Sequence, residues 1–226
     1  MTRAISAGAA RTRRGAVVML VLLAVFLGLG VAMLAGMLDS VDRSLILQLR
    51  GPGGLGDPVG SWGIEEAVRD LTAPGGTTLV TLFTAAAALF LLAQQQRREA
   101  LVLVAVILLA WLSKDTAKAL FDRARPDLVS QEVFVHSASF PSGHTSMATA
   151  LYLMLAVLVS GYGLSQCGRA LVYGLASLLA GLVGFSRVYL GVHWPSDVWA
   201  GWCLGAFWAT AGWIALGASG KAAEVR

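Results

Sequence analysis

The stretch SRVYLGVHWPSD, residues 186–197, places an arginine, a histidine and an aspartate between two strongly apolar runs. Ionisable groups beside a membrane are costly and tend to mark function. His193 lies four residues before Asp197. Pro195 is favourable at a first helical position, so Asp197 falls in a first turn within reach of the imidazole. A carboxylate accepting one imidazole N–H fixes the tautomer and leaves the other nitrogen free as a nucleophile. The same pairing also occurs in purely structural sites.

Two further blocks carry chemistry. In KALFDRARP, residues 118–126, Lys118 and Arg125 are seven apart. If the helix persists through them, they share a face about 10 Å apart along the axis. Pro126 marks the exit from that helix. Lysine as a point charge and arginine as a planar fork together suit phosphate oxygens. In PSGH, residues 141–144, Ser142 is a plausible helix cap and Gly143 permits close backbone approach. The free N–H groups of such a helix start bind anions, and His144 on its first turn is a candidate general acid.

The elements that must hold these residues are membrane helices. The 226-residue chain is 57% hydrophobic and only 13% charged, with a mean hydropathy of +0.71. That composition excludes an ordinary soluble domain. The net charge of +4 forms no basic face on a soluble module, so nucleic acid is not an expected partner. Cys167 and Cys203 show no metal or disulfide spacing.

Six segments, roughly 16–38, 77–95, 100–119, 144–162, 170–187 and 195–217, are apolar enough to span a bilayer. The first is too long for a cleaved signal and reads as a retained span. The expected fold is all-α: one domain, residues 1–226, forming a bundle of six transmembrane helices. Arg3, Arg11, Arg13, Arg14, Arg97, Arg98, Arg169, Lys221 and Arg226 fall on one side of it, which the positive-inside tendency makes cytoplasmic, with both termini there. The extracytoplasmic loop 39–76 contains VDRSLILQLR and WGIEEAVRDLT, read either as two interfacial helices or as a solvated connector.

Five bases remain on the outer side: Lys114, Lys118, Arg123, Arg125 and Arg187. They defy the positive-inside bias and suggest an anionic ligand there. The alternative is that they snorkel and pair with Asp115, Asp122 and Asp127. The topology brings all three motif blocks to one membrane face, at the outer ends of spans three to six. Cations, an anion-binding helix start and two histidines then converge, a constellation suited to phosphoryl transfer through a histidine.

The order K-x6-RP, PSGH, SR-x5-H-x3-D resembles the signature of the type 2 phosphatidic acid phosphatase family, which is grouped with vanadium haloperoxidases. All eleven fixed positions match, across residues 118–197. The resemblance implies that His193 attacks phosphorus and forms a phosphohistidine, with Asp197 orienting it. It implies that His144 protonates the leaving lipid oxygen and then activates water. Lys118, Arg125, Arg187, Ser142 and Gly143 would bind phosphate, with no metal and no cofactor.

The expected protein is a multi-pass phosphatase of the cytoplasmic membrane with its site facing outward. Its expected partners are the lipid bilayer and a lipid phosphate: phosphatidic acid, phosphatidylglycerol phosphate or undecaprenyl pyrophosphate. A lipid phosphotransferase using the same site, and a non-catalytic lipid-binding protein or transporter, are the alternatives. A haloperoxidase is disfavoured by the six spans. His136 reads as a surface loop residue, and Lys114 stands one turn before Lys118, within reach of a headgroup.

Overall fold

The computed structural model describes residues 2–54, 56–127 and 137–217, with side chains from Gly8 onward. His136, Lys221 and Arg226 lie outside the described residues. Among the described residues eight α-helices follow one another: α1 (Thr2–Leu34), α2 (Asp39–Leu47), α3 (Trp62–Thr72), α4 (Thr77–Ala93), α5 (Arg97–Phe121), α6 (Gly143–Ser160), α7 (Gln166–Tyr189) and α8 (Pro195–Gly217). A short 3-10 turn, Ala73–Gly75, joins α3 to α4. Among the described residues there is no strand, only an isolated bridge between Arg50 and Pro58.

Six of these helices overlap the six expected segments. By length and hydropathy four qualify as membrane spans: Gly8–Leu34, Arg97–Phe121, Gly143–Ser160 and Gln166–Tyr189. A fifth is formed only by Trp62–Gly75 and Thr77–Ala93 taken as one pair bent by 48°. Pro195–Gly217 does not qualify, and α4 does not qualify alone. The helix α8 carries Pro195, Ser196, Asp197, four glycines and four tryptophans among its apolar residues. The loop 39–76 is no plain connector, since it holds α2 and α3 on either side of the Gly- and Pro-containing stretch 51–60.

The bundle is inverted relative to a soluble one, because its outer surface is apolar. Leu20 and Val31 on α1, Leu101 and Leu112 on α5, and Leu171 and Leu175 on α7 are all exposed. Such a belt belongs in lipid, and the chain is a multi-pass membrane protein. The helix α6 lies at the centre, with Thr145 through Leu151 all buried. One apolar cluster joins α4, α5 and α6 around Val80, Leu103, Ala110, Leu151 and Met154. A second, around Phe26, Phe140, Ala200 and Leu204, joins α1 and α8 to the loop that leads into α6. In it Phe140 packs 4.8 Å from Phe121 and 5.6 Å from Phe26, which fixes the segment entering PSGH.

Close approach of α8 to α6 completes the scaffold. A Cβ at Gly205 would lie 2.5 Å from the Ser146 carbonyl oxygen, so only glycine lets the two backbones meet there. At the end of the same interface the Ser142 N–H donates to the Asp197 carbonyl at 2.9 Å. That single bond ties the start of α6 to the start of α8.

Candidate active site

The three motif blocks meet at one end of the bundle. Lys118 lies in the last turn of α5, His144 in the first turn of α6, Arg187 in the last turn of α7 and Asp197 in the first turn of α8. His193 occupies the turn between α7 and α8, where its N–H donates to the Arg187 carbonyl at 3.3 Å. A cavity of about 190 Å³ is lined by Lys114, Lys118, Arg125, Gly143, His144, Arg187 and His193, with Val80, Trp111 and Met147 supplying an apolar wall. Asp197 and Ser142 stand one layer behind it.

Two expectations about local geometry are corrected. The helix does not persist to Arg125: α5 ends at Phe121, and Asp122 adopts a left-handed φ of 38°. Lys118 and Arg125 therefore share the cavity without sharing a helix face. Ser142 occupies the cap position of α6, but its hydroxyl makes no capping bond. It instead accepts from the Thr145 hydroxyl at 2.9 Å and is fully buried. What this helix start can offer an anion is its backbone N–H groups, with Gly143 lining the cavity.

The imidazole of His193 is 2% exposed. Its Nε2 lies 3.2 Å from Arg125 Nη1, and a guanidinium only donates, so Nε2 carries the lone pair. The proton is therefore assigned to Nδ1, which faces Asp197 Oδ2 at 3.4 Å and Ser139 Oγ at 3.3 Å. Burial pushes the His193 pKa down to about 3, against the pull of Asp197. The ring is therefore a neutral base at ordinary pH, with its free nitrogen among cations.

Asp197 is held on every side. Its Oδ2 accepts from Ser139 Oγ at 2.5 Å and from the Trp194 N–H at 3.0 Å, and its Oδ1 accepts from Arg123 Nη1 at 2.6 Å. The cations are also anchored. Lys118 Nζ donates to the Ala138 carbonyl. Arg125 donates to the Ser137 carbonyl at 3.0 Å and the Val192 carbonyl at 2.8 Å. Arg187 Nη1 donates to Thr72 Oγ1 at 2.7 Å, while its buried Nε has no partner among the described residues. A buried donor with no protein partner on a cavity-lining arginine is suited to an anion.

Sequence reasoning missed Asp42, Thr72 and Ser139. Of the five outer bases, Lys114 pairs with Asp115 as the snorkelling alternative expected. Arg123 does not pair with Asp122 or Asp127; it bridges Asp42 and Asp197. Its grouping with the other bases near the motif blocks was the one available signal. Among the described residues no three His, Cys, Asp or Glu side chains stand together as metal ligands would.

A second, larger cavity of about 1040 Å³ lies at the opposite ends of α5, α6 and α8, lined by Arg11, Arg97, Arg98 and Arg169. Among the described residues its lining includes neither histidine nor lysine.

A helical membrane bundle with a carboxylate-held histidine facing a cationic cavity is the class that fold and site define. The profile of the PAP2 superfamily matches residues 99–221, more than half of the chain, and the chain belongs to that superfamily. It is 43% identical over 89 residues to phosphatidylglycerophosphatase B of Bacillus subtilis, covering 39% of this chain and 43% of that one. It is 41% identical over 69 residues to an undecaprenyl-diphosphatase of Sulfolobus acidocaldarius, covering 30% of this chain and 29% of the relative. Each match thus spans less than half of the relative's length. Over longer stretches it resembles the crystal structure of a transmembrane PAP2 type phosphatidylglycerolphosphate phosphatase from Bacillus subtilis, with 27% identity and a TM-score of 0.77. That likeness covers 86% of this chain and 93% of the other. Aquifex aeolicus LpxE is a more distant likeness, with 25% identity, a TM-score of 0.52 and coverage of 68% and 87%.

Proposed function

We propose that the protein is a metal-independent lipid-phosphate phosphatase that works through a phosphohistidine. The observation that carries the reading is the unprotonated Nε2 of His193, which accepts from Arg125 in a cavity that also holds Lys118, Arg187 and His144. In the first step Nε2 attacks phosphorus, an N–P bond forms, and the P–O bond to the lipid breaks. His144 gives its proton to the departing oxygen. In the second step His144 takes a proton from water, the hydroxide attacks phosphorus, and the N–P bond breaks to release inorganic phosphate. Asp197 stabilises the charge that His193 acquires between the steps. Lys118, Arg125, Arg187 and the N–H groups at Gly143 offset the phosphoryl charge. They are already fixed by carbonyl and hydroxyl partners, so little reorganisation accompanies the reaction.

An amphiphilic substrate fits the walls, since Val80, Trp111 and Met147 line the cavity beside the cations. The names of the relatives favour a glycerophospholipid phosphate such as phosphatidylglycerol phosphate, or a polyprenyl diphosphate. Phosphatidic acid remains in the same chemical class. In this reading α4 and α8 also cross the bilayer, giving six spans in the cytoplasmic membrane with both termini inside. The site then opens to the extracytoplasmic side, and the arginine-lined cavity lies at the cytoplasmic face.

The test is phosphate release by the detergent-purified protein from these three lipids in EDTA, beside His193→Ala. Release that survives EDTA and is lost in the variant is expected. Release that needs a divalent ion, or that persists without His193, would overturn the mechanism.

A further inference from the structure

Asp42 lies in α2, far from the three motifs and outside the matched residues 99–221. Yet it is 2% exposed and joined to the histidine site. Its Oδ2 receives Arg123 Nη2 at 2.8 Å and Ser196 Oγ at 2.5 Å, and its Oδ1 receives the Ser196 N–H at 2.9 Å. The other arm of Arg123 reaches Asp197 Oδ1 at 2.6 Å and Ser196 Oγ at 2.7 Å. The side chains of Arg123, Asp42 and Asp197 are only 8%, 3% and 0% exposed.

Two buried carboxylates share one guanidinium, so the group carries one surplus negative charge directly behind His193. Surplus charge in a buried site is costly, and a fold that only needed a pin would be served by a neutral pair. An arginine bonded to Asp197 alone would draw off much of the charge that the imidazole needs when it takes on phosphorus. A second carboxylate on the opposite arm restores it and also fixes the direction of the guanidinium fork.

Resting on the phosphohistidine reading above, we propose that Asp42 is a positioning residue of this site, acting through Arg123 to set the orientation and residual charge of Asp197 behind His193. The helix α2 is then part of the working enzyme, although it carries none of the motif residues.

Four full-length proteins test this: wild type, Asp42→Asn, Arg123→Gln and the double variant. Asp42→Asn leaves the buried group neutral, Arg123→Gln leaves it with two negative charges, and the double variant restores one. Asp42→Asn should lower kcat about tenfold, the effect of about one unit of His193 basicity, with KM nearly unchanged. The double variant should be more active than either single one. A pin that merely holds α2 predicts the opposite, with losses that multiply. Vanadate, which an imidazole nitrogen binds as a five-coordinate analogue of the phosphoryl group, is titrated into the same four proteins. Its Kd should rank them in the same order.

Phosphate release with multiplying losses would overturn the role of Asp42 and leave the phosphatase reading intact. Vanadate binding in the charge-dependent order without lipid hydrolysis would uphold Asp42 and overturn the phosphatase reading. A wild type that neither binds vanadate nor releases phosphate would overturn both.

Discussion

Alanine at Gly205 should push α6 and α8 apart. The new Cβ would stand 2.5 Å from the Ser146 carbonyl oxygen, 2.5 Å from Thr149 Cβ and 2.9 Å from the Ala150 nitrogen, where ordinary contact begins at 3.4 Å. Two of these atoms are backbone, so neither can swing away, and the helices must separate by about 1 Å. Overpacking of this kind costs about 3 kcal/mol, the upper end of its usual range, or roughly 6–12 °C in Tm for a chain of this size. The cost extends to the site, because the Ser142–Asp197 backbone bond of 2.9 Å closes the same interface. Activity should fall more than KM changes. Gly181 on α7 is the control: nothing lies within 4 Å of a Cβ built there. Alanine at Gly181 should leave Tm unchanged or raise it, since removing a helical glycine stabilises by about 0.5–1 kcal/mol. Unfolding of the detergent-solubilised variants is followed by tryptophan fluorescence, with Trp202 and Trp208 reporting on α8. A Gly205→Ala protein that melts with wild type would refute the close-packing account of how α8 delivers Asp197.

Asp197→Asn turns an amide donor towards some of the four donors around the carboxylate; kcat should fall at least about a hundredfold, with a loss of roughly 3–5 kcal/mol of stability by thermal unfolding. Arg187→Lys gives up the planar fork that spans Thr72 and the cavity; phosphate release should fall about tenfold or more, and Thr72→Val should reproduce part of that loss. His193 contributes to the pH dependence of stability, because burial puts its pKa at about 3. The unfolded ring takes up a proton near pH ~6.5 and the folded ring does not, so stability present above that pH is lost as pH falls towards the folded value. Melting curves of wild type should show this acid-side slope, and His193→Asn should make it shallower.

Much of the site was legible because its residues are short-range neighbours in sequence. His193 and Asp197 are four apart and bracket Pro195, which does begin α8. PSGH runs directly into α6, and Arg187 closes α7, so the hydrophobic pattern alone sets all three at helix ends. The supporting groups were illegible because packing decides them. Asp42 meets Ser196 across 154 residues, and Arg187 meets Thr72 across 115. Ser139 sits in a run of small residues and touches Asp197 only because Phe140 is wedged against Phe26 and Phe121. The Lys118–Arg125 spacing singled out two residues that line one cavity, although the helix stops at Phe121 before Arg125 is reached. Four of the six expected spans stand by length and hydropathy alone, whereas α4 and α8 do not qualify by themselves, and the small residues of α8 serve its contacts with α6.

The central claim is that phosphorus passes through His193. The most direct measurement is to mix wild-type protein with a lipid phosphate labelled at phosphorus, quench within milliseconds into alkali, where phosphoramidates survive, and map the label by peptide mass spectrometry. Label on the His193 imidazole, absent from His193→Ala, is the predicted result. Label on His144, or full turnover with no labelled histidine at any time point, would contradict the account.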